Sequence, residues 1–155
     1  MTEFLNRRVV VIGGSRGIGY AVSRMLVARG ACIAIGARDT TVLTRVRDEL
    51  SYEGAMPFVG GCDIADTLST GAFIDTAAAR LGGIDALINC ASGFTRADDD
   101  AAWHEAMNVD LMGVVRAVRA AGRFCGAAAS CPPRFRACPS GDPAIPFSTS
   151  AVPTA

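Results

Sequence analysis

The sequence contains no lysine: all 15 basic residues among its 155 are arginine. Any catalytic pair that sets a hydroxyl beside a lysine ammonium is therefore excluded. Tyrosine occurs only as Tyr20 and Tyr52, and histidine only as His104. A lone histidine without a partner reads as structural. No apolar run approaches the roughly 20 residues that a membrane-spanning helix needs. Arg7-Arg8 precede such a run, but it reaches a glycine turn too soon for an export signal and reads as a strand. Formal net charge is zero, 15 acidic residues against 15 basic, which removes the electrostatic case for nucleic acid or an anionic membrane. Cys32, Cys62, Cys90, Cys125, Cys131 and Cys138 never form a Cys-x-x-Cys pair. They read as reduced packing thiols of a cytoplasmic protein, with no metal site.

What is present is organised around Arg8-Val9-Val10-Val11-Ile12-Gly13-Gly14-Ser15-Arg16-Gly17-Ile18-Gly19. Four consecutive β-branched residues fit a strand buried on both faces, as in a parallel sheet. Beyond it, Ile18, Val22, Met25 and Leu26 recur at helical spacing and predict an inward face. The spacing Gly13-x-x-x-Gly17-x-Gly19 supplies what a pyrophosphate requires. It gives a sharp turn, backbone free of side chains, and N–H groups at a helix N-terminus. Its position between strand and helix is the context that makes such a motif meaningful.

The same alternation continues. Ala31–Ile35 predicts a second buried strand, after Gly30 has stopped the first helix. Thr40 or Thr41 caps a helix with Leu43, Val46 and Leu50 inward. Pro57–Val59 is a third strand, and a helix from Thr67 to Leu81 turns Phe73, Ala77 and Leu81 inward before Gly82-Gly83 ends it. Ala86–Asn89 is a fourth strand. Asp98-Asp99-Asp100 then open a long helix to about Ala121, the carboxylates serving as cap and dipole partners. Its largest apolar residues, Trp103, Met107, Leu111, Val114 and Val118, are expected in the core, with Arg116 and Arg119 exposed. This rhythm is an α/β Rossmann-type doubly wound parallel sheet with strand order 3-2-1-4, and its ligand crevice lies between strands 1 and 4.

After Phe124 the character changes. Residues 125–155 hold six of the seven prolines, three of the six cysteines and no leucine. Proline removes ladder donors, so this stretch is expected to be irregular. The domain division is thus residues 1–124, a dinucleotide-binding unit truncated after about four strands, and 125–155, an irregular tail.

Residues 7 to about 122 resemble the amino-terminal part of a short-chain dehydrogenase/reductase, in feel nearest the 3-oxoacyl-acyl-carrier-protein reductases. Gly13-Gly14-Ser15-Arg16-Gly17-Ile18-Gly19 is similar to that family's cofactor turn. Cys62-Asp63-Ile64 resembles its adenine-contacting segment, with Asp63 as the hydrogen-bonding carboxylate. Asn89-Cys90-Ala91-Ser92 is similar to its Asn-Asn-Ala-Gly motif with two replacements. Asn108-Val109-Asp110-Leu111 resembles the helix segment whose asparagine belongs to the catalytic group. The resemblance implies hydride transfer between a nicotinamide and a carbonyl or alcohol.

For the cofactor, the strand-end position that carries a carboxylate in NAD binders is Ala37, flanked by Arg38, while Arg16 precedes Gly17. Basic residues there imply NADP. Asp39, about 20 residues past the glycines, argues for the alternative, NAD, but reads as a helix cap one residue too late. Family chemistry also uses a Tyr-x-x-x-Lys pair with a serine. Without lysine that pair is absent, and of the catalytic group only Asn108 remains. The expectation is an NADP-binding chain inactive alone. The other readings are a non-catalytic module, sensing NADP or pairing as a homo- or hetero-oligomer through helix 101–121, and a functionless fragment whose tail is a G+C-rich gene read out of frame.

Overall fold

The structure, a computed structural model, describes residues 4–52, 54–93 and 97–124. The expected irregular tail at 125–155 lies outside them. Four strands, β1 (Arg8–Ile12), β2 (Cys32–Ala37), β3 (Phe58–Gly61) and β4 (Ala86–Asn89), alternate with helices α1 (Gly17–Ala28), α2 (Thr40–Tyr52) and α3 (Thr67–Leu81). All strand pairs are parallel, in the order β3-β2-β1-β4 expected from the alternation. The last helical region has three parts: α4 (Asp100–Ala106), a π-helical turn (Met107–Met112) and α5 (Gly113–Ala121).

Because side chains alternate across a strand, β1 feeds two cores. Val9 and Val11 pack with Leu26, Ile33, Ile35, Leu43, Val46 and Leu50 beneath α1 and α2. Val10 and Ile12 pack on the other face with Phe73, Ile74, Ala77, Leu81, Ile84, Ala117 and Ala121. Every residue of β1 and β2 is buried, as strands covered on both faces must be. β4, by contrast, borders the described sheet, and its four residues are half-buried.

Helix ends follow their local chemistry. Asp66 caps α3 by accepting from the backbone N–H groups of Leu68 and Ser69, and left-handed Gly82 closes it. Asp99 caps α4 through Ala102. At α2 the cap is Asp39, whose Oδ1 accepts from Val42 N at 3.1 Å. Thr40 is already helical, so neither threonine holds the expected capping role.

Three packing expectations are corrected. In α1 the buried residues are Gly19, Ser23 and Leu26, whereas Ile18 is 79% and Met25 41% exposed. In the last helical region Trp103, Met107, Leu111, Val114 and Val118 are all exposed. The inward positions are Ala102, Val109, Gly113, Ala117 and Ala121. Small residues let this helix approach closely: a Cβ at Gly113 would meet the Ile64 side chain at 2.9 Å. Finally, Cys32 is disulfide-bonded, so the all-reduced expectation fails there, while Cys62 and Cys90 are free. Sequence spacing carries no information on which thiols meet in space.

At the opposite end of the sheet from the glycine turn, buried Arg8 ties β1 to β4. Its Nε and Nη2 donate to the Asp85 carboxylate at 3.0 and 2.5 Å, and Nη1 donates to Gly82 O at 2.6 Å. The Arg8 backbone N–H adds a bond to Asp85 Oδ2 at 2.8 Å.

Candidate functional site

A cleft of about 310 Å³ opens at the carboxyl ends of the strands, the expected position for a ligand in an open α/β sheet. Of the sequence-predicted residues, Gly13, Ser15, Arg16, Arg38, Asp63, Ile64 and Ala91 line it. Gly17, Ile18, Gly19, Asn89 and Asn108 are not among its lining residues.

The floor is the turn from β1 into α1. Gly13 adopts φ +78°, and a Cβ there would meet the backbone of Ala91 at 2.4 Å. A Cβ on Gly19 would stand 2.2 Å from Gly13 O. These two glycines fold the turn against itself and against the end of β4. Gly17, at φ +51°, has no atom within 4 Å of its hypothetical Cβ and leaves the backbone open. Arg16, the residue before α1, makes no side-chain cap, so the first N–H groups of this helix are left for an anion.

Asp63 follows β3, and its Oδ1 accepts from Ala65 N at 3.0 Å, fixing the loop while the side chain stays exposed. Cys62 beside it is buried, which pushes its thiol up to about 12, with the Asp63 charge adding to the rise. It therefore remains a neutral thiol at physiological pH and supplies wall rather than nucleophile. At the end of β4, Asn89 Oδ1 accepts from Ala91 N at 3.2 Å, so its side chain shapes the loop that follows. Gly93 N then donates to Asp110 Oδ1 at 2.9 Å, docking this loop on the π turn.

Asn108 lies in that π turn, and Arg116 holds it. Arg116 Nη2 donates to Asn108 Oδ1 at 2.6 Å and Nη1 to Asn108 O at 2.9 Å. The same guanidinium donates to Ile64 O at 3.3 Å and Thr67 Oγ1 at 3.1 Å. Arg116 is half-buried, correcting the expectation that it is simply exposed. It joins the cleft wall at Ile64 to the π turn at Asn108. Sequence reasoning missed Arg116 and Asp110, because both act through partners distant in sequence, 17 residues away for Asp110 and 49 and 52 for Arg116, which local spacing does not reveal.

The end of the cleft where β2 stops carries Arg16, Ala37, Arg38 and Asp39. Arg16 Nη2 lies 3.2 Å from Asp39 Oδ2, both side chains being substantially exposed.

A family model described as short chain dehydrogenase matches residues 7–127. The chain is 36% identical over 128 residues to (5R,7aS)-5-hydroxy-7a-methyl-1-oxo-2,3,5,6,7,7a-hexahydro-1H-indene-carboxyl-CoA reductase of Mycobacterium tuberculosis, covering 77% of this chain and 48% of that one. It is 33% identical over 134 residues to cis-4-hydroxycyclohexanecarboxylate dehydrogenase of Sinomonas cyclohexanicum, covering 82% and 53%. Its fold is similar to that of a gluconate 5-dehydrogenase from Burkholderia cenocepacia in complex with NADP and tartrate. There the TM-score is 0.71 and the identity 32%, with 77% of this chain and 48% of that chain covered. The chain thus spans about half the length of the curated relatives it matches. With the glycine turn, the cleft and the strand order in agreement, it belongs to the short-chain dehydrogenase/reductase family.

Proposed function

We propose that residues 1–124 form a dinucleotide-binding unit, distinct from residues 125–155, that takes NADP(H) in the cleft. The activity served is hydride transfer between NADP(H) and a carbonyl or alcohol, with a 3-oxoacyl thioester as the substrate class. The observation that carries the cofactor reading is the pair Arg16 and Arg38 at the end of β2, beside Ala37 rather than a carboxylate. A 2'-phosphate needs cations and donors, whereas a free 2'-hydroxyl is held by a strand-end carboxylate.

The residues present fit the cofactor. The uncapped start of α1 receives the pyrophosphate over Gly13, Ser15 and Gly17, with Ile18 beside it and Gly19 closing the turn. Asp63 keeps Oδ2 free to accept from the adenine amino group, while Ile64 and Ala91 wall the cleft and Asn89 holds its loop. When bound, the nicotinamide supplies the hydride. Asn108 is the surviving member of the catalytic group, and Arg116 orients it. With no lysine anywhere in the chain, the tyrosine–lysine proton relay has no residues to form it, and this chain alone binds cofactor without rapid turnover.

Arg38→Ala tests the reading. NADPH binding is expected to weaken by about 1.5–3 kcal/mol, the scale of a charged hydrogen bond, with NADH nearly unchanged. Equal losses for both cofactors in a fluorescence titration would refute the assignment.

The exposed Trp103, Met107, Leu111 and Val118 support pairing with a second copy through the 101–121 helix. Large apolar groups, tryptophan above all, are the anchors of interfaces. Leu111→Asp should raise the dimer dissociation constant at least about thirtyfold, the scale of a buried anchor lost. Sedimentation velocity reads this directly, and an unchanged distribution would remove the helix from the interface.

A further inference from the structure

Half-buried Arg116, on α5, directs its guanidinium at four neutral oxygens and, among the described residues, at no carboxylate. Nε donates to Thr67 Oγ1 at 3.1 Å, Nη1 to Ile64 O at 3.3 Å and Asn108 O at 2.9 Å, and Nη2 to Asn108 Oδ1 at 2.6 Å. Two of these acceptors are backbone oxygens behind one wall of the cleft. Ile64 and Val109 are both buried, belong to the same core cluster and line the cleft. Nη1 holds the carbonyl of Ile64 itself and the carbonyl of the peptide that joins Asn108 to Val109. The loop after β3 and the π turn lie outside every strand pairing among the described residues, so side-chain contacts set their register.

We propose that Arg116 is a positioning residue for the dinucleotide: it sets the spacing between Ile64 and Val109 and so shapes the wall beside the adenine half. The inference rests on the assignment of a nicotinamide dinucleotide to this cleft. Arg116 is not among the lining residues and acts through the two peptides it holds. A planar guanidinium donates in several fixed directions at once, whereas a lysine ammonium is a point donor on a flexible stem and cannot reproduce the set. Groups that touch a ligand keep their geometry only when the residues behind them are fixed. An apolar wall serves NADPH and NADH alike, so its loss costs both equally.

The test compares the full chain with Arg116→Lys, Arg116→Met, Asn108→Ala and each Arg116 change combined with Asn108→Ala. NADPH and NADH are followed by nicotinamide fluorescence, and ADP-ribose, which lacks the nicotinamide, by calorimetry. Both Arg116 variants are expected to weaken all three ligands about tenfold, short of the roughly hundredfold that a misplacement of about 1 Å can cost an active site. The NADPH-over-NADH ratio should not move, unlike the expectation for Arg38→Ala. Asn108 does not line the cleft either. Asn108→Ala removes the Nη2 acceptor and should weaken ADP-ribose about two- to threefold, a loss that vanishes in both Arg116 backgrounds. A residue with only a structural role would lower the melting temperature and leave the affinity of the folded chain where it was. Arg116→Lys keeps the charge and most of the stem, so the comparison stands even if Arg116→Met does not fold.

Unchanged ADP-ribose affinity in a cooperatively melting Arg116→Lys chain would overturn the inference, and NADPH binding by the parent would leave the cofactor reading standing. A loss in Asn108→Ala that persists undiminished without Arg116 would overturn it too, since the effect would not run through the guanidinium. If the parent takes up neither dinucleotide, the cofactor reading itself fails and the inference falls with it.

Discussion

Arg8→Met is expected to destabilise the domain by about 3–5 kcal/mol at neutral pH, the cost of removing one partner from a buried ion pair. Arg8 is 4% exposed and Asp85 26%, so the aspartate left behind is only partly rehydrated. Gly82 O loses its guanidinium donor as well. Methionine fills the aliphatic volume, which separates the charge effect from a cavity. Against the 5–15 kcal/mol of a typical domain, this is a large fraction.

The same pair fixes a pH dependence. Hydrogen bonds from the Arg8 side chain hold the Asp85 carboxyl below its ordinary value, against the opposing effect of partial burial. A group depressed in the folded state contributes stability that is full above its unfolded value, about 3.9 for aspartate. That contribution is lost as pH falls through the lower folded value. The gap between the parent and Arg8→Met should therefore narrow below about pH 4. Urea melts at pH 7 and pH 3 measure it, and an identical gap at both would show that the ion pair is not the source.

The second large effect is at the glycine turn. In Gly19→Ala the new methyl meets Gly13 O at 2.2 Å and Cys90 Cβ at 3.0 Å. The first contact is with backbone, which cannot swing aside, so the turn must open. The expected cost is about 1–3 kcal/mol, the range for overpacking, despite the better helix propensity of alanine. Dinucleotide binding should weaken at least about tenfold, because the N–H groups leave their register. Gly17→Ala is the informative contrast. Its Cβ has open space but a left-handed φ of +51°, so it should cost only about 1–2 kcal/mol while crowding the pyrophosphate. A Gly19→Ala chain with unaltered melting and unaltered cofactor binding would contradict the packing account.

The strands and their order were legible because each rests on a local pattern. The apolar run Val9–Ile12, the glycines after it and the regular return of helix and strand leave few topologies. The sharp glycine turn between β1 and α1 was legible for the same reason. The buried face of the last helical region was not. Periodicity weights large apolar residues, and here the core takes Ala102, Gly113, Ala117 and Ala121 because α5 must come close to α3 and Ile64. Trp103 and Leu111 are left outside. The π turn was equally invisible, since no residue type marks one extra residue in a helical turn. Also invisible were the hold of Arg116 on Asn108 and the docking of Gly93 on Asp110. The Arg8–Asp85 pair spans 77 residues, a separation over which sequence carries no pairing signal.

The central claim, that this cleft holds NADP(H), is tested most directly by titrating the unmodified chain with NADPH and NADH and following nicotinamide fluorescence. The account predicts saturable binding of both, with NADPH favoured at least about tenfold, as one charged hydrogen bond to the 2'-phosphate requires. Tighter binding of NADH, or no binding of either by a chain that melts cooperatively, would contradict it.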